Sequence, residues 1–342
     1  MEDNSDWLGL SDEKALEPNL RICDPHHHFW EFRNDQTQSR YLLDDILADI
    51  NGGHNIVSTV YIECGAMYKA SGPEEMRPIG ETEFVNGIAA MSASGHYGAS
   101  RVASGIIGHA NLLLGDAVIP VLESQILAGG GRFRGIRHSV PWDKSNDVPV
   151  IRGKRPPHLL MHKVYREGFA HLSKYGLSYE AWLYHPQLPE LIDLAKTFPD
   201  TKIILNHFGG PLGVGPYANK RQEVFEVWKK NISELAKCSN VFAKLGGINM
   251  EINGFGWHLG LKPPSSETLM KATRDWYNYT IEKFSVDRCL FESNFPVDKI
   301  SCSYNVIWNS FKRLTKGYSE NEKALLYHDN ASSIYCLDKP DF

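Results

Sequence analysis

Lys202-Ile203-Ile204-Leu205-Asn206-His207 is a short apolar run that ends in two polar residues. It does not alternate between apolar and polar positions. A run of this kind suits a strand covered on both faces, as in a parallel sheet. The turn formers Gly209-Gly210-Pro211 follow directly. Working outward, seven further runs read the same way: 21–28, 56–64, 101–110, 133–138, 177–184, 241–245 and 288–292. Amphipathic stretches separate them. Leu188, Leu191, Ile192, Leu194 and Ala195 fall on one helical face, and 224–236 and 267–284 show the same period. Ser319 and Glu322 have the spacing of a capping box that opens a helix over 319–335. Strands alternating with helices predict a parallel α/β sheet. Eight such units favour a closed barrel over an open sheet. No GxGxxG follows the first strand, which counts against a dinucleotide-binding fold. Stretches 68–80 and 141–157 read as long loops.

The chain has 342 residues, 42% hydrophobic and 23% charged, the balance of an ordinary globular protein. A barrel of this length is expected as one domain over 20–342, preceded by an extension over 1–19. The formal net charge is −5, from 36 basic and 41 acidic residues, so there is no overall basic field to hold nucleic acid. No apolar run approaches the roughly 18 residues that cross a bilayer. The acidic first twenty residues lack the pattern of a signal peptide, so a cytoplasmic protein is expected. The six scattered cysteines include no CxxC pair and read as reduced core residues. A small-molecule substrate is the expected partner, with no nucleic acid or membrane, and barrels of this kind often pair as homodimers.

Barrel chemistry sits where the strands end. The first run ends in Asp24-Pro25-His26-His27-His28, the second in Glu63 and the fourth in Arg137-His138. The fifth ends in Tyr184-His185, the sixth in Asn206-His207, and the eighth in Glu292-Ser293-Asn294; the seventh carries Lys244. His26 and His28 share one face of a strand, where two neutral imidazoles can hold a divalent metal. His185 is a plausible third ligand on the same rim. His207, ending a buried strand before a glycine turn, is expected to touch substrate or water. Arg137 can clamp a carboxylate through its planar fork or pair with an acidic neighbour, and Lys244 carries the same two readings. Glu63 either orients a histidine or pairs with a base.

Together these residues resemble a known group. Asp24-Pro25-His26-His27-His28-Phe29-Trp30 resembles the opening motif of the amidohydrolase superfamily. Tyr184-His185-Pro186-Gln187, Phe198-Pro199-Asp200-Thr201, Leu205-Asn206-His207-Phe208-Gly209-Gly210-Pro211 and Phe291-Glu292-Ser293-Asn294-Phe295-Pro296 resemble its lactonase branch, in the right order over about 20–337. The resemblance implies a distorted (β/α)8 TIM barrel. It implies zinc or manganese on His26, His28 and His185, with His207 at the substrate. Where the family has Ser-Asp-x-Pro, this chain has Ser293-Asn294-Phe295-Pro296. The anionic ligand and base are missing there, which leaves metal-dependent and metal-independent courses both open. Asp298 is the nearest spare carboxylate.

The expected activity is hydrolysis of a small, carboxylated lactone. His207, Asp298, Asn294 and Arg137 are the expected catalytic set, and Lys244, Glu63, His138 and Trp30 the expected substrate contacts. The alternatives are nonoxidative decarboxylation of an aromatic or unsaturated acid on the same barrel, and a ligand-binding barrel without catalysis.

Overall fold

The computed structural model describes residues 4–151 and 153–337. All eight expected strands form: β1 (Arg21–His27), β2 (Asn55–Ile62), β3 (Arg101–Gly108), β4 (Phe133–Ile136), β5 (Ser178–Ala181), β6 (Ile203–Leu205), β7 (Val241–Leu245) and β8 (Cys289–Phe291). They lie in chain order, each parallel to the next, with helices between. The eighth strand returns to the first. His27 bridges Phe295, His28 N donates to Phe295 O at 2.8 Å, and Asn294 N donates to His26 O at 3.0 Å. The result is a nearly closed (β/α)8 barrel of one domain.

Side-chain alternation divides the core in two. Outward residues such as Tyr179, Ala181, Leu205, Ala243 and Phe291 join the large cluster under the helices. Inward residues Cys23, Val60, Ile62, Ile107, Ile204 and Leu290 fill the barrel itself. Tyr335 and Ile334, from the end of the chain, plug that interior. The expected helix over 319–335 therefore appears in three pieces: Glu320–Ala324, a π-turn Leu325–Asp329 and Asn330–Ile334. The wider turn re-aims the last segment so that Ala331 and Ile334 face the barrel bottom.

Asp24 fastens the closure. Its carboxylate accepts from Ser293 N at 3.0 Å, Ser293 Oγ at 2.5 Å and the Tyr304 hydroxyl at 2.8 Å. Burial pushes its pKa up to about 6. His27, on the opposite face from His26, meets the Thr59 hydroxyl at 2.8 Å between β1 and β2. The chain before β1 packs on the barrel: Trp7 Nε1 donates to Gly260 O, and Glu13 accepts from Ser266 and Asn309. Cys23, Cys64, Cys238, Cys289 and Cys302 are buried free thiols; Cys336 is half-buried. No described helix is long and apolar enough to cross a membrane.

Candidate active site

The strands end earlier than the sequence pattern suggests. β4 stops at Ile136, β5 at Ala181 and β6 at Leu205. Beyond these points the polar residues leave the ladder and turn to side-chain partners. His207 and Asn294 adopt left-handed backbone conformations, with φ of 52° and 57°. Such conformations in non-glycine residues gather at functional sites.

Glu292, the inward residue next after Leu290, is the hub. Its Oε1 lies 2.7 Å from His207 Nδ1. Its Oε2 lies 2.7 Å from His26 Nδ1 but makes no hydrogen bond there. One nitrogen each from His26 and His207 and one Glu292 oxygen fall within 4.8 Å of one another. This packing needs a bare backbone opposite. A Cβ on Gly247, whose φ is +65°, would sit 2.0 Å from His207 Nδ1.

Two buried cations flank His26. Lys244 Nζ is 3.5 Å from Nδ1, and Arg137 Nη1 is 3.4 Å from Nε2. Burial, with Lys244 beside it, drives the His26 pKa well below the usual imidazole value. Each cation has an acid of its own. Lys244 Nζ donates to Glu180 Oε2 at 2.8 Å, and Glu180 also accepts from the Tyr335 hydroxyl. Arg137 Nε donates to Glu63 Oε1 at 2.8 Å, and its Nη2 to the Glu63 carbonyl.

A cavity of about 440 Å³ opens above this floor. His28, Trp30, Arg137, His207 and Asn294 line it. His28 Nδ1 faces the Ile62 carbonyl at 2.7 Å and so carries the ring proton, leaving Nε2 an acceptor. Burial, with Arg137 nearby, keeps the ring neutral. It therefore presents a lone pair to the cavity.

Three expected site residues lie elsewhere. His185 starts a 3₁₀ turn four residues beyond β5, accepts from Leu212 N at 3.2 Å and packs edge-on to Tyr217. It does not join His26 and His28; the fold gathers His207 and Glu292 around His26 instead. His138 accepts from Leu112 N and packs against His109 and Tyr165, away from this cavity. Asp298 is fully buried beneath Asn294, whose Nδ2 donates to its Oδ1 at 2.9 Å. Burial pushes its pKa up to about 8, so it is protonated at neutral pH and cannot serve as a base. Lys244 and Glu63 lie below the cavity wall, as Lys244–Glu180 and Glu63–Arg137 pairs. Glu180 and Glu292 were not singled out from sequence. An acid at an inward position of an otherwise apolar strand was the available signal for both.

The family model described as Amidohydrolase matches residues 23–337. The chain belongs to the amidohydrolase family. It is similar to the uncharacterized protein y4mH of Sinorhizobium fredii, 32% identical over 335 residues, covering 93% of this chain and 99% of that one. It is also similar to an L-fucono-1,5-lactonase of Burkholderia ambifaria, 22% identical, covering 93% and 96% of the two chains. A crystal structure of a Burkholderia multivorans amidohydrolase with bound zinc shares the fold, at TM-score 0.70, 19% identity and coverage of 92% and 99%. In this amidohydrolase, two imidazoles and a carboxylate are a suitable donor set for a divalent ion. The buried Glu292 Oε2, with no hydrogen bond of its own, is an acceptor such an ion would satisfy.

Proposed function

We propose that this amidohydrolase opens a small cyclic ester by adding water to its carbonyl. The observation that carries the reading is the 2.7 Å contact between Glu292 and His207 at the floor of the cavity. With Glu292 accepting at Nδ1, His207 is fixed as the tautomer whose Nε2 is a lone pair. That is the orientation a general base requires.

His207 Nε2 takes a proton from water as the oxygen bonds to the carbonyl carbon. His28 Nε2 offers a second acceptor for the same water. Arg137, still holding N–H groups beyond those given to Glu63, donates to the oxyanion that develops. When the intermediate collapses, the ring C–O bond breaks. The leaving alkoxide takes the proton from His207, and a hydroxy acid is released. Where a divalent ion is bound, His26, His207 and Glu292 would hold it and it would polarise the carbonyl and lower the pKa of water; His207 would then be a ligand, and the acceptor role would pass to His28. Lys244 and Arg137 set two positive charges against His26 and so weaken its hold.

Support comes from the family and from the lactonase among the relatives. The test is a panel of five- and six-membered lactones followed by acid release, with wild type and His207→Asn. His207-dependent ring opening, lost by about 10³-fold in the variant, is the expected result. Ring opening no faster than in buffer across the panel would overturn the proposal. Release of carbon dioxide from an aromatic acid would replace it with decarboxylation.

A further inference from the structure

We infer that the lactone accepted here is uncharged and carries a hydrocarbon substituent on its ring, a specificity that rests on the lactonase reading above. The cavity has a polar floor, a hydrocarbon wall and a polar rim of Arg33, Asp35, Gln36, Thr37 and Glu251. Its floor is polar, with His28, Arg137, His207 and Asn294. The wall above β5, β7 and β8 is hydrocarbon, formed by Ile151, Trp182, Met250, Ile252 and Val297. These five also pack on one another as a separate cluster that reaches Val148 and Leu212. The wall is therefore built, and not a chance exposure of core. Trp30, across the cavity, spends its indole N–H on Gln38 O at 2.7 Å, with the Arg33 guanidinium 5.1 Å over its ring and His28 stacked on it.

The ester group belongs on the floor, because the acceptors and the oxyanion donor are there. The rest of the ring then meets the hydrocarbon wall. Ring hydroxyls placed there would lose water without gaining a partner, which is costly. An alkyl or aryl group would gain roughly fourfold in binding per buried methylene. A bare six-membered lactone also leaves most of the 440 Å³ empty. Among the described residues the hydrocarbon wall carries no cation for a substrate carboxylate; Arg137 is on the floor, held by Glu63 at 2.8 Å, and Arg33 lies 3.7 Å from Asp35. This amidohydrolase would thus differ from a sugar lactonase in the groups it presents beyond the ring.

The experiment compares kcat/KM for 6-pentyl-δ-valerolactone with that for an aldono-1,5-lactone and for a δ-lactone bearing a carboxylate. It is repeated with Ile252→Asn. Calorimetry with the matching δ-lactams, which are not opened, measures binding alone. The alkyl lactone should be favoured at least tenfold over both others, and Ile252→Asn should narrow that ratio at least threefold. The lactams should rank the same way. An aldonolactone or carboxylated lactone equal to or better than the alkyl lactone, or a ratio unmoved by Ile252→Asn, overturns the inference while leaving lactone hydrolysis intact. If no lactone is opened yet the alkyl lactam still binds tightest, the hydrolytic reading fails and the ligand preference stands.

Discussion

Glu292 holds His207 by a hydrogen bond and lies 2.7 Å from His26 without one, so one side chain borders two imidazoles. Its role is to position them, and the test must separate that from simple packing. Glu292→Gln keeps the shape but donates where the carboxylate accepts. It should favour the His207 tautomer with its proton on Nε2 and lower kcat by about 10²–10⁴-fold, with KM little changed. Near-wild-type kcat would show that His207 needs no orienting acid. The same carboxylate is the anionic member of the candidate metal set. Zinc held by the purified wild type should be exchangeable, because Lys244 and Arg137 oppose it, and should fall further in Glu292→Gln. Elemental analysis before and after dialysis against chelator checks this. Tight zinc in both proteins would mean that the ion sits elsewhere. Asn294 lines the same cavity. It faces Asp298, which holds its proton at neutral pH, so Asn294→Asp gains a hydrogen-bond donor beneath it instead of a second charge.

The strands were legible in the sequence because parallel strands buried on both faces leave unbroken apolar runs. The run 241–245 coincides with β7, while 202–207 overruns β6 at its end. The ends were missed because His207 and His138 continue the run in composition but turn away from the ladder. His26 and His28 could be read as facing the site from strand alternation alone. The partners of Arg137 and Lys244 could not, since Glu63 and Glu180 reach them across neighbouring strands through barrel curvature. His185 was misplaced for a related reason: four residues past a strand end, alternation no longer says where a side chain points. Asp24 shows what else the opening motif holds. It accepts three hydrogen bonds that tie β1 to the segment after β8. Asp24→Ala leaves Ser293 and Tyr304 buried without their acceptor. The expected loss is about 3–5 kcal/mol of unfolding free energy, at roughly 1–3 kcal/mol for each stranded group after partial relaxation. Urea denaturation at pH 7 measures it; a loss under 1 kcal/mol would mean that the barrel closes without this fastener.

Across the whole molecule, burial of ionisable groups sets how stability varies with pH. Burial lowers His27 to about 3 and His54 and His185 to about 4, and holds His138 well below its usual value. Unfolded, these histidines take protons near pH 6.5. Below that pH the unfolded chain binds more protons than the native one, so stability falls as pH drops from 6.5 toward 4. Asp298 acts in the opposite sense. Its native pKa of about 8 lies above the unfolded carboxylate value, so the native state keeps a proton that the unfolded chain has released. That contribution is full below about pH 4 and is lost as pH rises through 8. Asp24, raised to about 6, has the same sign; it is half titrated at about pH 6 and finished by about pH 7. Below 6.5 these four histidines, together with His26 and His28, which burial also holds well below the usual value, outweigh the two aspartates. Between 6.5 and about 7.5 Asp298 acts with little opposition, at a slope of at most about 1.4 kcal/mol per pH unit; nearer 8 it is opposed by Lys312, whose pKa burial lowers to about 8. Stability should therefore peak near pH 6.5. Asp298→Asn keeps an acceptor for Asn294 and removes the ionisation, so its alkaline limb should be flat to about pH 7.5 and rise slightly toward 8, where Lys312 titrates, while its acid limb stays as in wild type. Urea midpoints for both proteins at half-unit steps from pH 4.5 to 8 decide it. An alkaline limb equally steep in Asp298→Asn would assign the slope to another group and would remove the reason for treating Asp298 as a neutral support beneath the active site.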